Sequence, residues 1–267
     1  EEAIAVYDTL IAKYDADPTA ALREQVSAAM LSKGLKLGEL QRNEEAIAVY
    51  DALIAKYDAD PAAALRERVA KATRNKGLKL GELQRNEEAI AVYDTLIAKY
   101  DADPAAAVRE QVAKATRNKG LKLGELQRIE EAIEVYDTLI AKYDADPAAA
   151  LREQVSAAML SKGIRLGELQ RNEEAIAVYD AMIAKYDADP AATQREQVAG
   201  SLLEKSVLLG GLKRKEEAIG ASDALIAKYE SDPAMALRER VAKAMRNKGI
   251  WLGELQRNEE AIAVYDA

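Results

Sequence analysis

Histidine, cysteine and phenylalanine are absent from the 267 residues, tryptophan occurs once and proline six times. Without His or Cys the chain cannot assemble a Ser-His-Asp triad, a Cys nucleophile, an imidazole or thiolate zinc site, or a disulfide framework. Those exclusions point to a protein that is not an enzyme, with no catalytic residues, no metal and no cofactor. Zero Cys fits any redox compartment and selects none. Long apolar runs are missing as well: none approaches the roughly 18 to 20 residues that a membrane span needs, and no charged-apolar-small leader opens the chain. The expectation is a soluble protein with no membrane partner, placed in the cytoplasm, and the missing initiator Met reads as the mark of a fragment. Positive charge is in deficit, with 38 Lys and Arg against 46 Asp and Glu and a net charge of −8. Neutralising phosphates takes a basic surface, so nucleic acid is not the expected partner.

What is present is a repeat. Asn-Glu-Glu-Ala-Ile starts at Asn43 and returns at Asn86, Asn172 and Asn258, with Ile129 and Lys215 in the same slot of the other two copies; the period is 43. Residues 43–85 and 86–128 differ only at Ala52/Thr95, Leu65/Val108 and Arg68/Gln111. Each period reads as two helices. Asp-Pro recurs at Asp17-Pro18, Asp60-Pro61, Asp103-Pro104, Asp146-Pro147, Asp189-Pro190 and Asp232-Pro233, where Asp can accept from free amides and Pro suits a first helical turn. From Pro61 a helical stripe of Leu65, Val69, Ala72, Leu80 and Leu83 predicts a long helix of about 23 residues, roughly 35 Å. Asn86-Glu87-Glu88 then predicts an N-cap with acids in the first turn of a short helix carrying Ala89, Ile90, Tyr93, Leu96, Ile97 and Tyr100. Amphipathic pairs cannot bury both faces alone, so neighbouring repeats must stack. The expected fold is all-α: a single α-solenoid over 1–267 with thirteen helices. They are a lone short helix at 1–15, pairs at 18–58, 61–101, 104–144, 147–187 and 190–230, and a truncated sixth pair at 233–267.

Asn75-Lys76-Gly77, Leu80-Gly81, Glu88-Ala89-Ile90 and Tyr93 together resemble the tetratricopeptide repeat, over all six periods. The spacing carries the match: Gly77 lies twelve residues before Ala89, and Tyr93 follows four later. The family's usual unit has 34 residues, so the chain resembles a longer class with a period near 42 or 43. Gln41, Gln84 and Gln127 stand where the family places a helix-junction Gly. The resemblance implies antiparallel helix pairs, a right-handed superhelix, and a scaffold that holds protein or peptide partners on a concave surface. Gly34, Gly77, Gly120, Gly163 and Gly249 then read as close helix packing, and Tyr7, Tyr50, Tyr93, Tyr136, Tyr179 and Tyr265 as inter-helix rings with the hydroxyl at the edge.

Family members that hold a C-terminal carboxylate use Lys, Asn and Arg of the long helices. Lys71, Arg74 and Asn75, then Lys114, Arg117 and Asn118, put those residue types on two consecutive repeats, and Lys243 and Arg246 return to the pattern in the sixth. The resemblance implies a groove with a basic centre, flanked by Leu31, Leu160 and Leu203, that takes an acidic or carboxylate-ended peptide. The same positions also read as solvated helix faces drifting freely. A second reading is a structural solenoid that self-associates head to tail through its end faces; a third is a local nucleic-acid stripe of Lys71, Arg74, Lys76 and Lys79. The Asp-x-Asp pairs, such as Asp58/Asp60, lack the Gly and closing Glu of a calcium loop and read as turn and cap. Glu44-Glu45, Glu87-Glu88 and Glu173-Glu174 read as helix-dipole acids rather than an acid-base pair. The fifth repeat stands apart, with Ser206 for Gly, Ser222 for Tyr, Gln194 for an apolar residue and extra Gly at 200, 211 and 220. It reads as a decayed copy, with a hinge or a specialised contact as the alternative, and Trp251 as an exposed ring.

Overall fold

The computed structural model describes residues 1–17 and 19–266. Among them are thirteen α-helices and no strand. The short helices are α1 (Glu2–Tyr14), α3 (Asn43–Tyr57), α5 (Asn86–Tyr100), α7 (Ile129–Tyr143), α9 (Asn172–Tyr186), α11 (Lys215–Tyr229) and α13 (Asn258–Asp266). The long ones, 20 residues each, are α2 (Ala20–Glu39), α4 (Ala63–Glu82), α6 (Ala106–Glu125), α8 (Ala149–Glu168), α10 (Ala192–Gly211) and α12 (Met235–Glu254). None of the described helices is long and apolar enough to cross a membrane. Pro18 and Ala267, which bound two of the expected helix pairs, lie outside the described residues.

Helix starts differ from the expectation in both classes. The long helix α4 begins at Ala63, two residues after Pro61, because Asp60 Oδ1 accepts the N–H of Ala62 at 2.9 Å and closes a turn outside the helix. The same turn recurs at Asp103 with Ala105, Asp146 with Ala148, Asp189 with Ala191 and Asp232 with Ala234. Asn86 is not an N-cap. Arg85 is the cap residue, Asn86 is already helical, and its buried Oδ1 has no partner within the protein. The first turn is closed instead by Arg85, which donates to both oxygens of Glu88 at 2.6 Å.

The junction between long and short helix is built without glycine. Gln84 has φ 61°, Gln41 60°, Gln127 61°, Gln170 58°, Lys213 64° and Gln256 61°. At each, paired bonds of the Schellman type close the long helix: Gln84 N–H donates to Gly81 O at 3.1 Å and Arg85 N–H to Leu80 O at 2.9 Å. A three-residue link of this kind folds α5 back along α4, which brings Gly77 under the Tyr93 ring; a Cβ at Gly77 would lie 2.7 Å from Tyr93 Cζ. Gly34 with Tyr50 and Gly163 with Tyr179 repeat the arrangement.

The helices form two compact units, Glu1–Val135 and Tyr136–Ala267. In the first, Leu65, Val69 and Leu80 of α4 are buried in one apolar core with Tyr50 and Leu53 of α3 and Tyr93 of α5. In the second, Leu151 and Leu166 of α8, Tyr179 and Tyr186 of α9, Val198 of α10 and Leu225 of α11 are buried to 2% exposure or less. Tyr265 is exposed and Tyr7 half-buried, but the rings of Tyr50, Tyr93, Tyr136 and Tyr179 are buried, hydroxyl included, rather than ending at the edge. Tyr50 and Tyr93 are fully buried, and burial pushes the Tyr50 phenol up to about 12, with the Asn75 amide and the Arg74 charge pulling back.

Within each of the two units, ion pairs tie one repeat to the next. Lys56 Nζ reaches Asp15 Oδ1 at 2.5 Å, and Lys99 with Asp58, Lys185 with Asp144 and Lys228 with Asp187 follow. Arg23 Nη1 reaches Asp60 Oδ2 at 2.8 Å, as Arg66 reaches Asp103, Arg152 reaches Asp189 and Arg195 reaches Asp232. Both carboxylates of the Asp-x-Asp pair are thereby occupied, one by a Lys of the next short helix and the other by a turn amide and an Arg. No group of acids able to hold a metal ion occurs among the described residues. The paired glutamates divide the same way: Glu88 serves its own Arg85, and Glu44 accepts from Arg85 at 3.1 Å across the repeat boundary.

The fifth repeat mixes close packing with open positions: a side chain at Gly211 or Gly220 would meet nothing, and Gln194 Oε1 is buried with no partner within the protein. Ser206 and Ser222 replace Gly and Tyr together; their Oγ atoms lie 2.7 Å apart, and Ser206 Oγ donates to Ala218 O at 2.9 Å. Both side chains are fully buried. Trp251 is likewise a packed ring, seated over Gly210 and against Ile219 and Leu252. Where other repeats lay a Lys stem over that glycine, as Lys79 does over Gly38, this one lays an indole.

Candidate functional site

Long helices α2, α4 and α6 pack side by side, so slots 43 residues apart in the sequence become neighbours across one surface. A groove of about 350 Å³ runs over them, lined by Leu31 and Leu35 of α2, Glu67, Lys71, Arg74 and Asn75 of α4, and Ala107, Glu110, Gln111 and Lys114 of α6. Five of the residues singled out in the sequence thus meet here: Leu31, Lys71, Arg74, Asn75 and Lys114.

The centre of this groove is mixed in charge, not basic. Lys71 is paired with Glu67 and Lys114 with Glu110, each Glu one helical turn before its Lys, the favourable orientation for such pairs. Arg74 differs. Its Nη2 donates to Asn75 Oδ1 at 2.8 Å, its Nε is buried with no partner within the protein, and burial holds its guanidinium below the usual range. Guanidinium stays charged regardless, so it is a fixed cation with an unused donor. Across the groove, Gln111 is 3% exposed and its Oε1 also has no partner within the protein. Buried polar atoms left unpaired cost free energy, and a ligand can supply the missing bond.

The remaining sequence candidates lie elsewhere. Arg117 and Asn118 are half-buried one turn beyond Lys114, outside this lining, with Arg117 Nε buried and unpartnered and Asn118 beside the Tyr93 hydroxyl. Asn75 is 6% exposed and stands in the same relation to Tyr50. In the second unit Leu203 is buried and Leu160 lies against the Gly200 backbone, while Lys243 and Arg246 are exposed on α12. Lys243 and Arg240 face Glu204, whose carboxyl is raised by burial. Outside the groove, Lys76 and Lys79 are occupied by Asp51 and Glu82. Reasoning from sequence passed over Glu67, Glu110 and Gln111. The four-residue step from Glu67 to Lys71 is a signal for the first two, whereas nothing local marks Gln111.

No protein-family model matches the sequence, and no curated protein matches it. Among solved structures, a tetratricopeptide repeat protein from Parabacteroides merdae is 15% identical with a TM-score of 0.56, covering 99% of this chain and 84% of its own. The nearly identical TPR-like repeats of a kinesin light chain from Podosopora anserina are 11% identical with a TM-score of 0.57, covering 84% of this chain and 98% of theirs. At such identities the likeness speaks to the fold alone. The chain has the tetratricopeptide-repeat-like fold, helix pairs packed on helix pairs, on a period of 43 residues.

Proposed function

We propose that this chain is a non-catalytic scaffold whose α2-α4-α6 groove holds an extended protein segment bearing an acidic side chain or a free C-terminal carboxylate. The observation that carries the reading is an unused donor and an unused acceptor lining one groove from two neighbouring helices, Arg74 Nε on α4 and Gln111 Oε1 on α6. A peptide offers both complements: a carboxylate accepts from Arg74, and a backbone N–H donates to Gln111. Leu31 and Leu35 supply the apolar flank, and the Lys71-Glu67 and Lys114-Glu110 pairs frame the polar centre. Nucleic acid fits poorly, since Lys71, Lys76 and Lys79 all face carboxylates of this chain.

Fluorescence anisotropy against short acidic peptides, each made with a free and an amidated C-terminus, tests the reading. Arg74→Ala is expected to weaken the best binder by about tenfold, the scale of a hydrogen bond to a charged group. Equal affinity of the parent and Arg74→Ala for every peptide would overturn it.

A further inference from the structure

We infer that the segment held by the α2-α4-α6 groove, on the reading just given, also carries a Lys or Arg, whose cationic head enters a second pocket between the C-terminal ends of α4 and α6. This pocket measures about 590 Å³, and its walls include Leu78 and Glu82 of α4, Asn86 of α5, and Lys122 and Glu125 of α6. Two carboxylates face one ammonium there, whereas the groove over Arg74 sets the cations Lys71, Arg74 and Lys114 against the carboxylates Glu67 and Glu110. The two sites therefore carry opposite net charge, and a segment with one acid and one base complements both.

Lys122 does not use up the acceptors. Its Nζ donates to both oxygens of Glu125, at 2.9 and 2.8 Å, while its stem crosses Gly81. Asn86 is 8% exposed, and its Oδ1 has no partner within the protein. A buried acceptor left without a donor costs free energy, and an ammonium or guanidinium supplies the donor. The ends of α4 and α6 also present the negative poles of two helix dipoles, which favours a cation.

The fifth repeat shows this seat filled from within. Lys215 holds the slot of Asn86, Glu254 that of Glu125 and Trp251 that of Lys122. Where the indole replaces the pocket lysine, Lys215 Nζ reaches Glu254 Oε2 at 2.9 Å. An ammonium between these two slots is thus a geometry the fold already accommodates.

Spacing fixes the order of groups on the segment. Lys71, Arg74, Leu78 and Glu82 follow at three- or four-residue steps and share one face of α4. From Arg74 to Glu82 the helix rises about 12 Å, which an extended chain covers in about three to four residues. Leu78 lies between and meets an apolar side chain. The ligand class is a segment with a base about four residues from an acid or a C-terminal carboxylate, and an apolar residue between them.

Fluorescence anisotropy of the full chain tests the second pocket with a labelled peptide Lys-Ala-Leu-Ala-Asp, blocked at both ends, and the same peptide with norleucine for Lys. Norleucine is expected to weaken binding about tenfold, the scale of a hydrogen bond to a charged group. Glu125→Gln and Asn86→Lys are each expected to abolish the difference between the two peptides, the second by seating the chain's own ammonium as Lys215 does. Circular dichroism of Asn86→Lys is expected to match the parent. Equal affinity of the parent for both peptides overturns the inference; if Arg74→Ala still weakens both, the groove reading stands alone. A Lys preference lost in Asn86→Lys but indifferent to Arg74→Ala upholds the second pocket and overturns the groove reading. Failure of both peptides to bind overturns both.

Discussion

At the residue scale, Gln84 carries the clearest conformational cost. Its φ of 61° lies in the left-handed region, where a residue with a Cβ is disfavoured by about 1–2 kcal/mol. Gln84→Gly removes that cost and adds unfolded-state entropy of about 0.4–1 kcal/mol. The expected net is a stabilisation of about 0.5–1 kcal/mol, read as a higher urea midpoint with unchanged slope. Gly77 is the opposite case: it needs no special dihedral, and only the close approach of the Tyr93 ring explains it. Alanine would gain about 1 kcal/mol of helix propensity there and lose it to overpacking against the ring.

The helix pair is the unit that keeps Gly and Tyr together, and α10 with α11 shows how the unit changes. Ser206 and Ser222 exchange a close ring contact for a buried hydrogen bond, so the two substitutions are one event in physical terms. Ser222→Tyr alone drives a ring onto the Ser206 side chain, and Ser206→Gly alone removes the hydrogen-bond partner of Ser222. Reverting both restores the arrangement of the other repeats. A double-mutant cycle on denaturation is therefore expected to give a favourable coupling of at least about 1 kcal/mol, and additive single effects would count against it. Between pairs, the ladders of Lys, Arg and acid run across the repeat boundaries, but most members are solvent-accessible. They set which surfaces meet more than how tightly, because exposed ion pairs contribute little each.

On the scale of the whole molecule, buried phenols govern the alkaline limit. Tyr50 in the first unit and Tyr186 and Tyr229 in the second are pushed by burial up to about 12, and Tyr93 and Tyr179 are raised too. A tyrosine whose folded pKa is raised contributes stability that is complete below its unfolded value of 10.0 and is lost as pH climbs through the folded one. Helix loss between about pH 10 and 12 is expected to coincide with tyrosinate absorbance; ionisation of all tyrosines near pH 10 with helices intact would refute it. The sequence by itself determined the period and the thirteen helices, because helical spacing and a fixed repeat place those elements regardless of detail, whereas the seat of each Tyr ring on a Gly came from the packing. The sequence also marked Lys71, Arg74 and Lys114 as neighbours, since equal slots of stacked repeats must lie side by side. Packing decided the rest. Nothing local in Gln84 announces a left-handed turn, which the closure of α4 onto α5 imposes. Whether Leu203 is buried, Trp251 covered or Gln111 left without a bond depends on the facing helix, and only the tertiary structure brings that helix to them.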